Sequence, residues 1–357
     1  MEQEEVGAHL SRNILDLMDR ASSLLEETMN KSSGWVEDLV QDQAVSARRR
    51  AELDEMGVHV PAFMIISVTR RCNLDCRGCY AKKLHASGTR EMDDGLLGSI
   101  LSQARELGVS IILTAGGEPL LRPGLIPLLK GFPEVIFPVF TNGTLLDETT
   151  VKELSEGRNI VPILSMEGFE EDTDHRRGEG VFNRVSKASA QLSSVDIFWG
   201  ISITVTSQNF DVVTGRDFVT DLILRGCRLF FYVEYIPVEE GTEHCAPTHE
   251  QRHRLVELMD QLGSENPGLF ITFPGDEEAL GGCLSSGRGF VHVNPSGDLE
   301  PCPFAPYSDT NLRDTPLREA LGSRLLAEIR GNHHRLEETR GGCALWENRE
   351  WVRGLLR

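Results

Sequence analysis

The sequence predicts an α/β fold: a partial (β/α)6 barrel with a helical N-terminal extension and a small α+β C-terminal domain. Three observations predict it. Residues 60 to 240 alternate short apolar runs with stretches of helical period, apolar residues before residue 56 recur at three- and four-residue steps, and the alternation stops after about 240. Strand-helix alternation means parallel strands with right-handed crossovers, hence a barrel or an open doubly wound sheet. Six units suit an incomplete barrel better than a closed one of eight. The expected divisions are 1–59, 60–240 and 241–357.

In chain order, Leu10, Ile14, Leu17, Met18, Ala21, Leu24 and Leu25 form an amphipathic helical stripe that ends near Lys31 to Gly34. Val36, Leu39 and Val40 begin a second stripe that runs to Met56-Gly57. Arg48 to Arg50 lie beside Glu52, Asp54 and Glu55, and read as a solvated helix face. This helical region looks separate from the strand-helix repeat. The six expected strands are Phe63 to Val68, Ile111 to Leu113, Val135 to Phe140, Ile160 to Ser165, Ile197 to Val205 and Leu229 to Ile236. Asp93 to Leu107, Asp147 to Glu156, Phe182 to Leu192 and Asp211 to Leu224 are helical between them. Beyond 241, Gly289 to Asn294 is expected to pair across the turn Pro295 to Asp298, with two helices after it.

The 357 residues carry a formal charge of −19, which sets the electrostatics against nucleic-acid backbones and anionic membrane surfaces. No apolar run is long enough to cross a bilayer, and the acidic start, Met1 to Val6, leads into no signal-type core. A cytoplasmic protein is expected. In such a chain the eight cysteines, at 72, 76, 79, 227, 245, 283, 302 and 343, read first as metal ligands rather than disulfides.

Cys72, Cys76 and Cys79 sit on the loop leaving the first strand. Their spacing of four and three lets a compact loop aim three thiolates at one point. Three donors leave one metal position open, which suits an iron-sulfur cluster better than a closed structural zinc; His85 is the only near fourth donor. This Cys-x3-Cys-x2-Cys loop resembles the signature of the radical S-adenosylmethionine (SAM) enzymes. The resemblance implies a TIM-like radical SAM barrel and a 4Fe-4S cluster on the three cysteines, whose unligated iron chelates SAM. Reductive cleavage then gives methionine and a 5'-deoxyadenosyl radical that abstracts hydrogen from an organic substrate, a small metabolite or a peptide.

Later strand ends carry matching motifs. Gly116, Gly117, Glu118 and Pro119 resemble the motif that meets the SAM amino group, with glycines for close approach and a carboxylate for the ammonium. Thr141-Asn142-Gly143-Thr144 follows the third strand; Ser165 and Glu167, with Asp174, Arg176, Arg177 and Gly178 behind, follow the fourth and resemble the segment at the SAM ribose and carboxylate. Thr204 with Asn209 ends the fifth strand, and Tyr232 to Pro237 ends the sixth, where the family often lines the adenine. Gly78 stands where the superfamily often has an aromatic residue, with Tyr80 just after the loop.

Cys283, Gly297 and Cys302, the last two in a Gly-x4-Cys step, resemble the opening of a SPASM or shorter twitch domain, and Cys343 is the expected third ligand of an auxiliary iron-sulfur cluster there. The layout implies an electron donor such as flavodoxin or ferredoxin. A peptide maturase is the alternative within the family. A non-catalytic iron-sulfur carrier would need the cysteines but not the strand-end motifs, and a zinc-stabilised binding protein would need neither the open coordination nor those motifs. Cys227 reads as a buried small hydrophobe, and Cys245, near the barrel mouth, as a candidate hydrogen-atom donor. Glu167, Glu234 and Asp276 are candidate acids or bases, and the adjacent His333 and His334 read as surface residues.

Overall fold

A computed structural model describes residues 3–29, 34–85, 90–273, 281–336 and 343–356. The six expected strands are present as β1 (Phe63–Ser67), β2 (Ile111–Ala115), β3 (Phe137–Thr141), β4 (Ile160–Ser165), β5 (Gly200–Val205) and β6 (Leu229–Glu234). Each pairs in parallel with the next. Three more strands extend this sheet, giving the order β7-β6-β5-β4-β3-β2-β1-β8-β9. The added strand β7 (Leu269–Phe273) is parallel to β6, β8 (Phe290–Val293) is parallel to β1, and β9 (Leu299–Glu300) returns antiparallel on β8. Residues after 240 therefore supply both edges of the barrel's own sheet.

The helices are α1 (Gln3–Met29), α2 (Gly34–Glu55), α3 (Tyr80–Leu84), α4 (Asp94–Glu106), α5 (Leu125–Lys130), α6 (Glu148–Ser155), α7 (Glu170–Arg177), α8 (Val181–Ser194), α9 (Phe210–Val213), α10 (Arg216–Leu224) and α11 (His249–Glu265). The C-terminal part adds α12 (Leu317–Ala320), α13 (Arg324–Gly331), α14 (Ala344–Glu347) and α15 (Arg349–Gly354). Side-chain caps fix several starts. Asp93 accepts from Leu96 N at 2.9 Å, Asp147 accepts from Thr150 N at 2.8 Å, and Thr248 with Gln251 forms a full capping box on α11.

The outward side chains of the strands, such as Met64, Ile112, Val139 and Ile203, are buried beneath the helices in one continuous core. The inward face is different. Ile111, Leu113 and Ala115 of β2 are each half-buried while Ile112 and Thr114 between them are buried, and Phe140, Val161 and Ile271 are also half-buried. The period of two in side-chain direction thus separates a packed outside from a partly open inside.

The N-terminal region is not separate from the barrel. The stripe on α1 runs across its lower mouth: Val6 and Leu10 pack with Ala62 and Ile65, Ile14 and Met18 with Ile136, and Ala21 with Leu229 and Leu269. Ile136 lies just before β3, and Ala62, Leu229 and Leu269 mark the starts of their strands, so α1 is a floor. The arginine triplet of α2 is also only partly solvated. Arg50 is buried, donates to Gly108 O and to Ser11 Oγ, and has its pKa lowered to about 10 by burial.

The C-terminal part is tied to the segments between β1 and β2, including α4. Met92 N donates to Pro295 O at 2.8 Å, His85 Nε2 meets Pro303 O at 2.8 Å, Arg70 bonds Ser296, and Leu317 N donates to Gln103 Oε1 at 2.8 Å.

Candidate functional site

The strand-end motifs lie at the end of the barrel opposite the α1 floor. The loop from β1 carries Cys72, exposed, and Cys76 and Cys79, half-buried; all three are free thiols. They are close enough to act on one another. Burial raises the pKa of Cys72 and of Cys76, and the Cys79 thiolate raises both further. Arg177 and Arg176 oppose this at Cys76, which is the direction that favours thiolate and hence metal ligation. Asn142 Nδ2 lies 4.0 Å from Cys72 Sγ and donates to Asn73 Oδ1 at 2.8 Å, so the β3 loop braces the cysteine loop.

Gly116 and Gly117 stand where no side chain fits. A Cβ on Gly117 would lie 2.2 Å from Arg71 O, and one on Gly116, which has φ +134°, would lie 2.5 Å from Thr69 O. Gly117 N and Glu118 N donate to Thr69 O and Arg71 O at 2.7 and 2.8 Å, which locks this loop onto the backbone just before Cys72. Glu118 is fully buried. Its Oε1 accepts from Thr141 Oγ1 and Leu120 N, and its Oε2 accepts from Asn142 N at 2.7 Å. Burial pushes its carboxyl above the usual range although these donors hold it down. One lone pair of Oε2 is left for a further donor, by the inventory of a carboxylate. Pro119 starts the next turn and is buried.

Beyond β4, Glu167 is 1% exposed and fully engaged: Oε1 pairs with Arg177 Nη2 and Oε2 accepts from Thr204 N at 2.9 Å. Asn209 Nδ2 donates to Glu167 O at 2.9 Å, so the ends of β4 and β5 form one unit. Arg176 differs from its neighbour. Its Nε lies 3.5 Å from Glu167 Oε1, yet Nε and Nη1 are buried without a hydrogen-bond partner, as is Arg177 Nε. Buried donors of this kind are rare and call for an anion. Ser165 points inward opposite Ser202.

Tyr232 requires a correction. Period two puts it on the outer face of β6, where it is fully buried and its hydroxyl donates to Val213 O at 2.9 Å. The tyrosine that reaches the cysteine loop is Tyr235. A Cβ at Gly78, whose φ is +63°, would lie 2.4 Å from the Tyr235 hydroxyl, and Arg176 sits 5.7 Å from the Tyr235 ring. Glycine at 78 therefore makes room for an aromatic from another strand end. The alternation along β6 was the available signal, since Val233 and Tyr235 share a parity opposite to Tyr232. Glu234 is likewise turned to the outside, where it pairs with Arg252.

Cys302 is buried, with Cys343 and Cys283 half-buried beside it in the same cluster. Burial pushes the Cys302 thiol far up, and the Cys343 and Cys283 thiolates add to the shift. Two links set this geometry: Ser286 N donates to Pro301 O at 3.0 Å, and the turn at Gly297, φ +92°, closes through Asn294 N to Asp298 O at 3.0 Å. Between the two cysteine sets lies a polar group that sequence reading did not assemble. His292 bridges Ser67 Oγ at 2.8 Å and Glu300 at 2.7 Å, with His85 Nδ1 3.9 Å from Glu300. Burial pushes Glu300 up to about 7. Tyr80 packs 4.7 Å from Phe304 across the same boundary. Cys227 is buried, and burial raises its thiol to about 12; Cys245 is half-buried with Sγ 3.4 Å from His244 Nε2. Asp276 lies outside the described residues.

Residues 66–212 match the family model of the Radical SAM superfamily. The chain is 24% identical to an AdoMet-dependent heme synthase of Methanosarcina barkeri, over 83% of this chain and 91% of that one. It is 25% identical to a GTP 3',8-cyclase of Clostridium perfringens, over 75% and 87%. Among solved structures it resembles Streptococcus suis SuiB bound to its precursor peptide SuiA, with a TM-score of 0.65 at 20% identity, over 86% of this chain and 77% of that one.

Proposed function

We propose that this chain, whose residues 66–212 match the Radical SAM superfamily model, works as a radical SAM enzyme in which Cys72, Cys76 and Cys79 hold a 4Fe-4S cluster and the surrounding strand ends hold SAM. When bound, this pair supplies a 5'-deoxyadenosyl radical for hydrogen abstraction from an organic substrate. The observation that carries the reading is the convergence of three free thiols, a backbone cradle at Gly116 and Gly117, and the unpartnered guanidinium donors of Arg176 at one end of the barrel. The site fits the group: the thiols are too few for a closed zinc site, and the orphaned donors suit a carboxylate.

The roles of the residues derive from their contacts. Arg176, held over Tyr235 and beside Glu167, takes the cofactor carboxylate. Glu118 fixes the β2 and β3 loops against each other and offers its remaining lone pair to the cofactor ammonium. Glu167 aligns Arg177 and Thr204, and Asn142 steadies the Cys72 loop. Ser165 and Thr204 sit where the ribose is expected. Cys283, Cys302 and Cys343 hold an auxiliary cluster, for which their packing together in one buried cluster of side chains is the support. The electron comes from a flavodoxin- or ferredoxin-type donor in the cytoplasm.

The test is electron paramagnetic resonance of the anaerobically reconstituted, dithionite-reduced chain. Addition of SAM is expected to shift the signal of the cluster on Cys72, Cys76 and Cys79. A spectrum that SAM leaves unchanged, with iron and sulfide at full occupancy, would overturn the assignment.

A further inference from the structure

We infer that the substrate is a small molecule with an extended apolar body, which lies along the inside of the barrel with its far end in a chamber above α1. The inference rests on the proposed cofactor site only in taking the strand ends as the reacting end. It is carried by the inward face of the sheet. From β1 to β7 every inward side chain is aliphatic, aromatic or hydroxyl-bearing, and none is charged. That face is nevertheless left half-buried at Phe63, Leu113, Val161, Ile271 and Phe273, although α1 is present.

Between these residues and α1 lies a cavity of about 1100 Å3. A space of this size lined by apolar groups is a ligand site rather than a packing fault, because fault cavities are far smaller. The charged residues at its edge, Arg20, Arg158, Asp196 and Asp260, are exposed and balanced in sign. They offer no focus for a triphosphate or a basic peptide, which would leave several charges uncompensated inside.

The half-buried hydroxyl groups of the inward face lie from the middle to the ends of their strands, Ser165 on β4 and Ser202 and Thr204 on β5, while Ser67 at the end of β1 is taken by His292. A ligand oriented by this gradient has a hydroxyl-sized polar group near the cysteine loop and apolar substance below. From Phe63 to Ser67 the strand rises about 13 Å. The body must therefore be at least about that long to touch the chamber while its reacting end meets the strand ends.

The test uses equilibrium dialysis of the neutral apolar probe N-phenyl-1-naphthylamine with the full-length reconstituted chain. One saturable site is expected, displaced by dodecan-1-ol and not by GTP. Leu113→Gln and Ile271→Gln are each expected to weaken binding about fivefold or more, by putting an amide on the apolar lining, while Leu224→Gln on the outer surface changes it by less than twofold. Absence of saturable binding, displacement by GTP, or equal effects of the lining and surface variants would overturn the inference. If Leu113→Gln does not fold, Ile271→Gln alone decides. Because binding is read without SAM cleavage, failure here is distinguishable from failure of the cofactor assignment.

Discussion

At the residue scale the site is built from positions that tolerate no substitute. Gly117→Ala would force a methyl group against the Arg71 carbonyl at 2.2 Å, a backbone atom that cannot turn aside. The expected outcome is a loss of about 2–4 kcal/mol in chemical denaturation, with reduced iron uptake on reconstitution. Glu118→Gln turns one of two buried acceptors into a donor facing Asn142 N or Thr141 Oγ1. It should cost about 1–3 kcal/mol and weaken SAM binding measured by calorimetry. The Cys72, Cys76 and Cys79 spacing was fully legible because a compact loop leaves few other uses for three thiols. Tyr235 was legible only as one of the two tyrosines of the Tyr232 to Pro237 segment, because a strand-end motif names a segment while the alternation along β6 decides which tyrosine faces the site. The unpartnered donors of Arg176 were out of reach, since they depend on Glu167 being saturated by Arg177 and Thr204.

At the scale of elements, α1 shows what periodicity can and cannot say. The stripe from Leu10 to Leu24 identified a helix and its apolar face, but not the surface that covers it. The structure supplies that surface as the lower mouth of the barrel. Met18→Asp, which buries a carboxylate against Ile136 without a partner, should therefore destabilise the whole barrel by about 3 kcal/mol rather than release an independent helix. A single cooperative melt, shifted down, is the expected calorimetric trace; two separate transitions would contradict it. β7 went unread for a related reason. Leu269 to Phe273 is strand-like, but it comes after a long loop and a seventeen-residue helix, so its membership of the sheet rests on tertiary pairing with β6. β8 likewise read as half of a local hairpin, and its second partner, β1, is more than 200 residues distant in sequence.

For the whole molecule, the two cysteine sets lie on segments around one sheet, joined by His85 to Pro303, Arg70 to Ser296, and Tyr80 against Phe304. They are nevertheless held by different loops. On the proposed second cluster at Cys283, Cys302 and Cys343, replacing Cys72, Cys76 and Cys79 together by Ala should lower iron and sulfide by about half; iron falling to zero would refute the second site. The charge of −19 belongs to the whole chain, whereas the side chains that β1 to β7 turn inward are uncharged, so the acidic composition says little about what binds within. The central claim is that the three thiols, the glycine cradle and Arg176 make a site for reductive SAM cleavage. It is tested most directly by anaerobic incubation of the reconstituted chain with SAM and dithionite, with 5'-deoxyadenosine measured by liquid chromatography. The account requires 5'-deoxyadenosine from the native chain and none from the Cys72/Cys76/Cys79 triple alanine variant; its absence from native protein with a full cluster, or its formation by the variant, would contradict the account.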